Sequence, residues 1–400
     1  MRFFLVVNCF LLISSITFSQ LEDYSFGEGF RYKSKDNSFY IKTAFRFQLL
    51  SQFDWNVAND DLSKIGNQES NFLIRRSRFK FDGYALSPQL KYKFEVGLSN
   101  SDVNINNPNY FGNGSNYILD AYIDWNFFKG FTLRAGQAKL PGNRERVISS
   151  AEMQLVDRSI LNNRFTLDRD VGIGLIYERL LGKQFGLNLI GTFSQGEGRN
   201  VIAGNRGGYE YTFRTEFLPF GKFHNKGDYV GSAIYREEKP KLSVGITYDF
   251  NERAGRTNGN LGSFIEQNAR LESLHSVFVD FMFNYQGLSL MGEYVIRETA
   301  DGTSAYRDAL TGDILGNYYT GTALNLQGGW MFDNNVEFSG RYAHVRPGDD
   351  SVGFNQDNFL LGLSKFIVGH QLKVQTDVGY LHRATADDGL MWRLQFELHL

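Results

Sequence analysis

The chain has 400 residues and a formal net charge of −2, with 42 Gly, 36 Phe, 21 Tyr and only 6 Pro. Near neutrality argues against a general nucleic-acid binder, and no stretch of about eighteen apolar residues follows the N-terminus, which argues against a bundle of membrane helices. Abundant aromatics in a chain only 42% hydrophobic suit strands that are apolar on one face alone.

Residues 1–19 combine Arg2, a short apolar run from Phe3 to Ile13, and the small residues Thr17 and Ser19 ahead of Gln20. This is the pattern of a secretory signal peptide cut before Gln20, and it is too short to anchor the chain as a helix. Cys9 lies inside it without a lipobox, so the mature chain has no thiol for a disulfide, a thiolate metal site or a nucleophile. Residues 20–38 read as an N-terminal periplasmic segment.

From residue 39 onward the dominant period is two, the strand period. In 39–53, Ile41, Thr43, Phe45, Phe47 and Leu49 share one face, and Lys42, Arg46, Gln48 and Gln52 the other. The last strand sets Trp392, Leu394, Phe396 and Leu398 against Arg393, Gln395, Glu397 and His399. Sixteen such segments are predicted, at 39–55, 69–84, 88–101, 116–128, 130–140, 170–180, 184–196, 208–218, 240–250, 273–286, 287–298, 317–332, 335–346, 355–368, 370–383 and 390–400. Tight connections such as Phe128-Lys129-Gly130 and Gln286-Gly287 follow even-numbered segments. Long polar ones (56–68, 102–115, 141–169, 251–272, 299–316) follow odd-numbered segments. The fold class predicted is therefore all-β, a transmembrane antiparallel β-barrel over 39–400 with short periplasmic turns and long external loops. The stretch 219–239 breaks the rhythm, as an insertion or an irregular strand near 229–236.

A soluble sandwich also alternates, with its apolar face buried. Two features favour the membrane barrel: a lumen too wide for side chains to fill, so that the charged face lines water, and a chain that ends on a strand at Leu400 with Phe396 before it.

Several segments resemble the phosphate-selective porin O and P family. They are Ile74-Arg75-Arg76-Ser77-Arg78-Phe79-Lys80; Asp120-Ala121-Tyr122-Ile123; Leu133-Arg134-Ala135-Gly136-Gln137-Ala138-Lys139-Leu140-Pro141; Glu152 with Val156-Asp157-Arg158-Ser159; Asp168-Arg169-Asp170-Val171-Gly172; and Gly369-His370-Gln371-Leu372-Lys373. The likeness runs in order over most of the mature chain, with Asp157 and Ala138 standing where the family usually has Glu and Phe. It implies a sixteen-stranded, typically homotrimeric pore in the outer membrane, set in outer-membrane lipid and passing small anions.

The residues themselves indicate which part of such a pore would select. Charged rings decide ion selectivity, with Arg and Lys favouring anions. The lumenal face predicted for the early strands presents Lys42, Arg46, Arg76, Arg78, Lys80, Lys91 and Lys93, and the fifth strand adds Arg134. Later strands are mixed or acidic, with Asp120, Asp124, Glu210, Glu216, Asp249, Asp280, Glu293 and Glu337, so a basic wall facing an acidic one would set up a transverse field. The loop 141–169 is the longest and mixes charge with Val147, Ile148, Met153, Leu155 and Ile160; it is expected to fold inward and narrow the pore. Arg144, Arg146 and Arg158 are its candidate anion contacts. The competing reading pairs these arginines with Glu145, Glu152 or Asp157 as loop anchors, and it is the stronger one for Arg158 and Arg169.

Enzyme motifs are missing. The six histidines are scattered without HExxH or metal-ligand spacing, no G-x-S-x-G elbow occurs, and Gly172 and Gly174 lack a third glycine for a dinucleotide loop. No catalytic site, cofactor or metal is expected. The reading is passive diffusion of small polar solutes, anions such as phosphate among them. The alternatives are a general or sugar-preferring pore, and a non-conducting surface barrel that acts as an adhesin or assembly partner.

Overall fold

A computed structural model describes residues 26–58, 61–99, 102, 116–182, 184–202 and 204–400. The expected signal peptide lies outside the described residues. The barrel strands are β1 (Phe39–Val57), β2 (Ile65–Ala85), β3 (Leu90–Gly97), β4 (Ile118–Phe128), β5 (Phe131–Lys139), β6 (Arg169–Leu181), β7 (Phe185–Ser194), β8 (Glu210–Leu218), β9 (Lys241–Asn251), β10 (Leu274–Tyr285), β11 (Leu288–Thr299), β12 (Gly321–Met331), β13 (Val336–Pro347), β14 (Gln356–Val368), β15 (Leu372–Arg383) and β16 (Asp388–His399). Each pairs antiparallel with its neighbours in sequence. β1 also pairs β16, from Arg46 opposite His399 to Val57 opposite Asp388, which closes the barrel. All sixteen predicted segments correspond to one of these strands. A four-residue strand, Phe30–Lys33, pairs with residues 40–43, below the point where β16 ends.

The two faces invert the rule of soluble proteins. Phe127, Leu175, Phe213, Phe338, Leu361 and Phe396 are exposed on the outside, whereas Gln48, Glu210, Asp249, Asn325, Lys373 and Gln395 are buried inside. An apolar outer band facing lipid with a polar interior is what a hydrocarbon surround demands of a strand that alternates.

Three features depart from the sequence reading. Residues 229–236 form no strand. The connection 219–240 instead contains a 3-10 turn, His224–Tyr229, and bends inward, burying Phe223, Val230 and Ala233. The external connections after β9 and β11 carry short strands of their own: Arg256–Asn258 with Leu261–Phe264, and Ala269–Arg270 with Ala305–Asp308 and Ile314–Asn317. Tyr306, Tyr318, Ile265 and Leu274 pack beneath them. Finally, the β1–β2 ladder slips between Gln48 and Leu49: Gln48 opposes Arg76 and Leu49 opposes Ile74, which leaves Arg75 as an extra residue in a bulge.

Candidate functional site

The site is built by the connection between β5 and β6, residues 140–168, here L3. L3 lies within the barrel against the wall of β8–β16. Leu140, Leu161, Phe165 and Leu167 pack on Phe278, Val295, Ala323 and Val345, which are lumenal residues of β10–β13. Ile148 and Met153 pack on Leu218, Met282 and Met291, together with Phe223 and Tyr229 of the 219–240 segment. Burying each such side chain contributes roughly 1.5–3 kcal/mol, so the loop is held as a core rather than as a flap. Two short helices carry it, α1 (Arg144–Val147) and α2 (Ile160–Phe165), the second capped by Ser159 Oγ accepting from Asn162 N at 3.2 Å.

Polar anchors complete the attachment. Arg144 is fully buried; its Nε donates to Asp280 at 2.7 Å, its Nη2 to Ser243 Oγ at 2.9 Å, and its Nη1 to the Asp228 carbonyl at 2.7 Å. The Glu145 carboxylate accepts from Arg341 at 2.7 Å and from Ser159 Oγ at 2.5 Å, and Glu145 N donates to Glu293 at 2.6 Å. Gln154 donates to Glu337 at 2.8 Å, and Lys373 donates to the Ala151 carbonyl at 2.9 Å. The Gly231 N–H of the 219–240 segment donates to the Glu152 carbonyl at 2.7 Å, which braces L3 from the periplasmic side.

This arrangement corrects the facing-walls expectation. Glu216, Asp280, Glu293 and Glu337 are each 3% exposed or less, covered by L3 and its partners, so no open acidic wall stands opposite the basic one. The cleft that remains, about 210 Å³, lies between L3 and the β2–β6 side of the barrel. Arg75, Arg76, Arg78, Lys139, Arg146, Arg158, Arg169 and Arg199 line it, with Asp102 and Asp168 as its acidic lining groups. Asp157 bridges Arg75 at 2.5 Å and Arg76 at 3.5 Å. Although burial works against it, the Arg76 and Arg75 guanidinium groups hold its carboxyl well below the usual carboxylate range. Arg146 donates to Asp168 at 2.9 Å. Arg158 donates to the carbonyls of Glu145 at 2.9 Å and Ile148 at 2.8 Å, and among the described residues no carboxylate lies at ion-pair distance from its guanidinium. Burial, then the charges of Arg146 and Arg76, push its pKa down. A guanidinium in that position is stabilised by an arriving anion.

The residues singled out from sequence fall into four groups. Arg76, Arg78, Arg146 and Arg158 meet in the cleft. Arg46 stands beside it, donating to Ser150 Oγ at 2.9 Å with Glu397 at 3.7 Å. The remainder lie apart: Lys80 with Asp82 at 2.8 Å, Lys93 with Glu95 at 3.0 Å and with Asp120, Arg134 with Asp124 at 2.7 Å, and Lys42 and Lys91 toward the periplasmic end. Arg144 is a loop anchor and lines no part of the cleft. Conversely, Arg158 lines the cleft on carbonyl contacts, where acidic neighbours in sequence had favoured pairing; Arg169 does pair, with Asp120.

Sequence reasoning missed Arg75, Lys139 and Arg199 as lining groups. Arg75 had a usable signal. Strict alternation would aim it at lipid, where an arginine costs about 2–4 kcal/mol at mid-depth, so two consecutive arginines within a strand imply a bulge. No local pattern marks Arg199, which reaches the site from the β7–β8 connection by donating to the Asp102 carbonyl at 2.8 Å. Among the described residues no group of three or more His, Cys, Asp or Glu is placed to hold a metal.

Arg144→Met tests the anchor. Removing one partner of a buried ion pair costs about 3–5 kcal/mol. Here the loss falls on L3, because the barrel ladders do not depend on Arg144. Single-channel records of the variant should show added substates and a noisier open level, with the barrel's own melting shifted little. A steady, wild-type open level would remove Arg144 from this role.

The family model for phosphate-selective porin O and P matches residues 47–388. The chain belongs to that family. It is an outer-membrane porin, and its fold agrees: over 90–93% of this chain and the whole of each neighbour it resembles an anion-selective porin from Comamonas acidovorans (TM-score 0.53), the outer-membrane channel DcaP of Acinetobacter baumannii (0.53) and Salmonella typhi OmpF in complex with daunomycin (0.54), each at 11% identity. An uncharacterized protein of Aquifex aeolicus is 26% identical over 286 residues, covering 67% of the porin and 64% of that protein's length.

Proposed function

We propose that this porin conducts small anions, phosphate among them, through the arginine-lined cleft beside L3. The observation that carries the reading is the cleft's charge balance. Eight basic side chains line it against Asp102 and Asp168 in the lining and Asp157, Asp120 and Glu95 among their ion-pair partners, an excess of three. Arg158 is satisfied by carbonyls, which leaves its charge for a solute. Guanidinium groups bind phosphate and carboxylate oxygens in paired hydrogen bonds, and a dry, narrow site strengthens them. Diffusion through such a cleft needs no cofactor. The same proposal includes export by residues 1–19, maturation at Gln20 and assembly in outer-membrane lipid as a homotrimer.

The test is the reversal potential of the refolded porin in a planar bilayer across a KCl gradient, followed by added inorganic phosphate. Anion-selective current that millimolar phosphate reduces is expected. Cation-selective current would overturn the reading of the cleft and leave the porin; absence of current would favour the surface-barrel alternative.

A further inference from the structure

On the periplasmic side of L3 a second cavity of about 330 Å³ opens, and Lys139 belongs to the linings of both. Its composition differs in kind from the arginine cleft. Four basic and four acidic side chains balance each other, so it adds no sign preference of its own. Its apolar lining is unusual for a wet lumen. Ile176 and Ile190 stand directly opposite each other, half-buried, on the lumenal faces of β6 and β7, and they share the cavity with Val147 of L3 and with Phe223 and Tyr229 of the 219–240 segment. The apolar lumenal residues of β10–β13, by contrast, are covered by L3.

The same wall is cleared of bulk at Gly174, which opposes Arg134. At Gly136 and Gly172 an added Cβ would instead meet the backbone of a neighbouring strand, at the Ala121 and Phe193 carbonyl oxygens respectively. A Cβ added at Gly174 would meet Thr192 Cγ2 at 3.3 Å and Arg134 Cβ at 3.7 Å, so any larger side chain there would project into the cavity. The opposite half of the lumen is filled by L3 and the 219–240 segment. Lys139, common to both linings, sets this chamber beside the arginine cleft.

We infer that the chamber is a second solute site, which takes the apolar body of an organic anion that the arginine cleft has admitted. The inference rests on the anion reading above and names its solute class: phosphate esters and carboxylates with an aryl or branched alkyl body. Water leaves the Ile176–Ile190 wall when such a body enters, which is favourable in proportion to the apolar area covered.

The experiment compares block of the chloride current by methyl phosphate and by phenyl phosphate, equal in charge and different in body. Phenyl phosphate should halve the current at about one tenth of the methyl phosphate concentration, a difference of about 1.4 kcal/mol. In Ile176→Asn/Ile190→Asn the difference should shrink to about twofold or less, with block by inorganic phosphate unchanged. Val147→Asn carries the same readout from the loop should the wall variant fail to insert. Equal block by the two esters in an anion-selective wild-type channel would overturn the inference alone, as would an aryl preference that survives both variants. Failure of the anion reading shows separately, as a cation-selective reversal potential.

Discussion

Replacing Arg75, Arg76 and Arg158 together by Gln should lower the anion-to-cation permeability ratio by more than tenfold. A unit charge roughly 7 Å from a permeating ion contributes about 2 kcal/mol at an effective dielectric constant near 20. Even if salt and water remove about two thirds of that, three charges leave more than the ~1.4 kcal/mol of one decade. The change also leaves Asp157 without its bridging partners Arg75 and Arg76, so the sign of the cleft moves further toward cations. Lys91→Gln/Lys93→Gln is the matched control. Lys93 already pairs with Glu95 and Asp120, and Lys91 opposes Asp124 near the periplasmic end. Reversal potentials in a KCl gradient decide the matter. An unshifted triple variant, or an equal shift from the two lysines, would show that selection occurs elsewhere along the pore.

Exchanging residues 143–166 for a short Gly-Ser linker should at least double the single-channel conductance and weaken the anion selectivity. The first effect follows from cross-section, because L3 and its apolar contacts fill one side of the lumen. The second follows from what L3 covers. Asp280, Glu293 and Glu337 each bond to the loop and are nearly inaccessible with it in place. Once uncovered they line water beside Arg341 and Lys373, which also bond to the loop. The exchange removes four arginines (Arg144, Arg146, Arg158 and Arg164) with three carboxylates (Glu145, Glu152 and Asp157), a net loss of one positive charge and of the loop side of the arginine cleft. The barrel survives the exchange, since its ladders run from strand to strand without L3. A wider channel of undiminished anion selectivity would mean that the β2 arginines suffice without the loop.

The barrel itself was written locally. Period two repeats over each strand, and a lipid surround tolerates only paired backbone, so alternating segments separated by short and long connections in turn lead to one closed sheet. Arg76, Arg78 and Arg146 were legible as inward charges on the same grounds, because charge on the inner face of such a strand, or on a loop too long for a simple turn, has to meet water or a partner. The acidic neighbours of Arg158 pointed instead to pairing.

Partnership is where local pattern ends. Arg144 and Arg158 lie fourteen residues apart on one loop and look alike in sequence. One meets Asp280, 136 residues away, and becomes an anchor; the guanidinium of the other donates to the carbonyls of Glu145 and Ile148 and faces the cleft. The apolar lumenal residues Phe278, Met282, Met291 and Val295 hinted that β10 and β11 are covered on both faces, yet what covers them depends on where L3 and the 219–240 segment arrive. The bulge at Arg75 is likewise set by the register of β2 against β1. Alternation along the chain determined a sixteen-stranded pore and the sign of its early strands, because a strand's two faces are decided by near neighbours. Which charges remain open to a solute was decided by tertiary structure alone, because a buried charge takes its partner from whatever element the closed barrel brings against it.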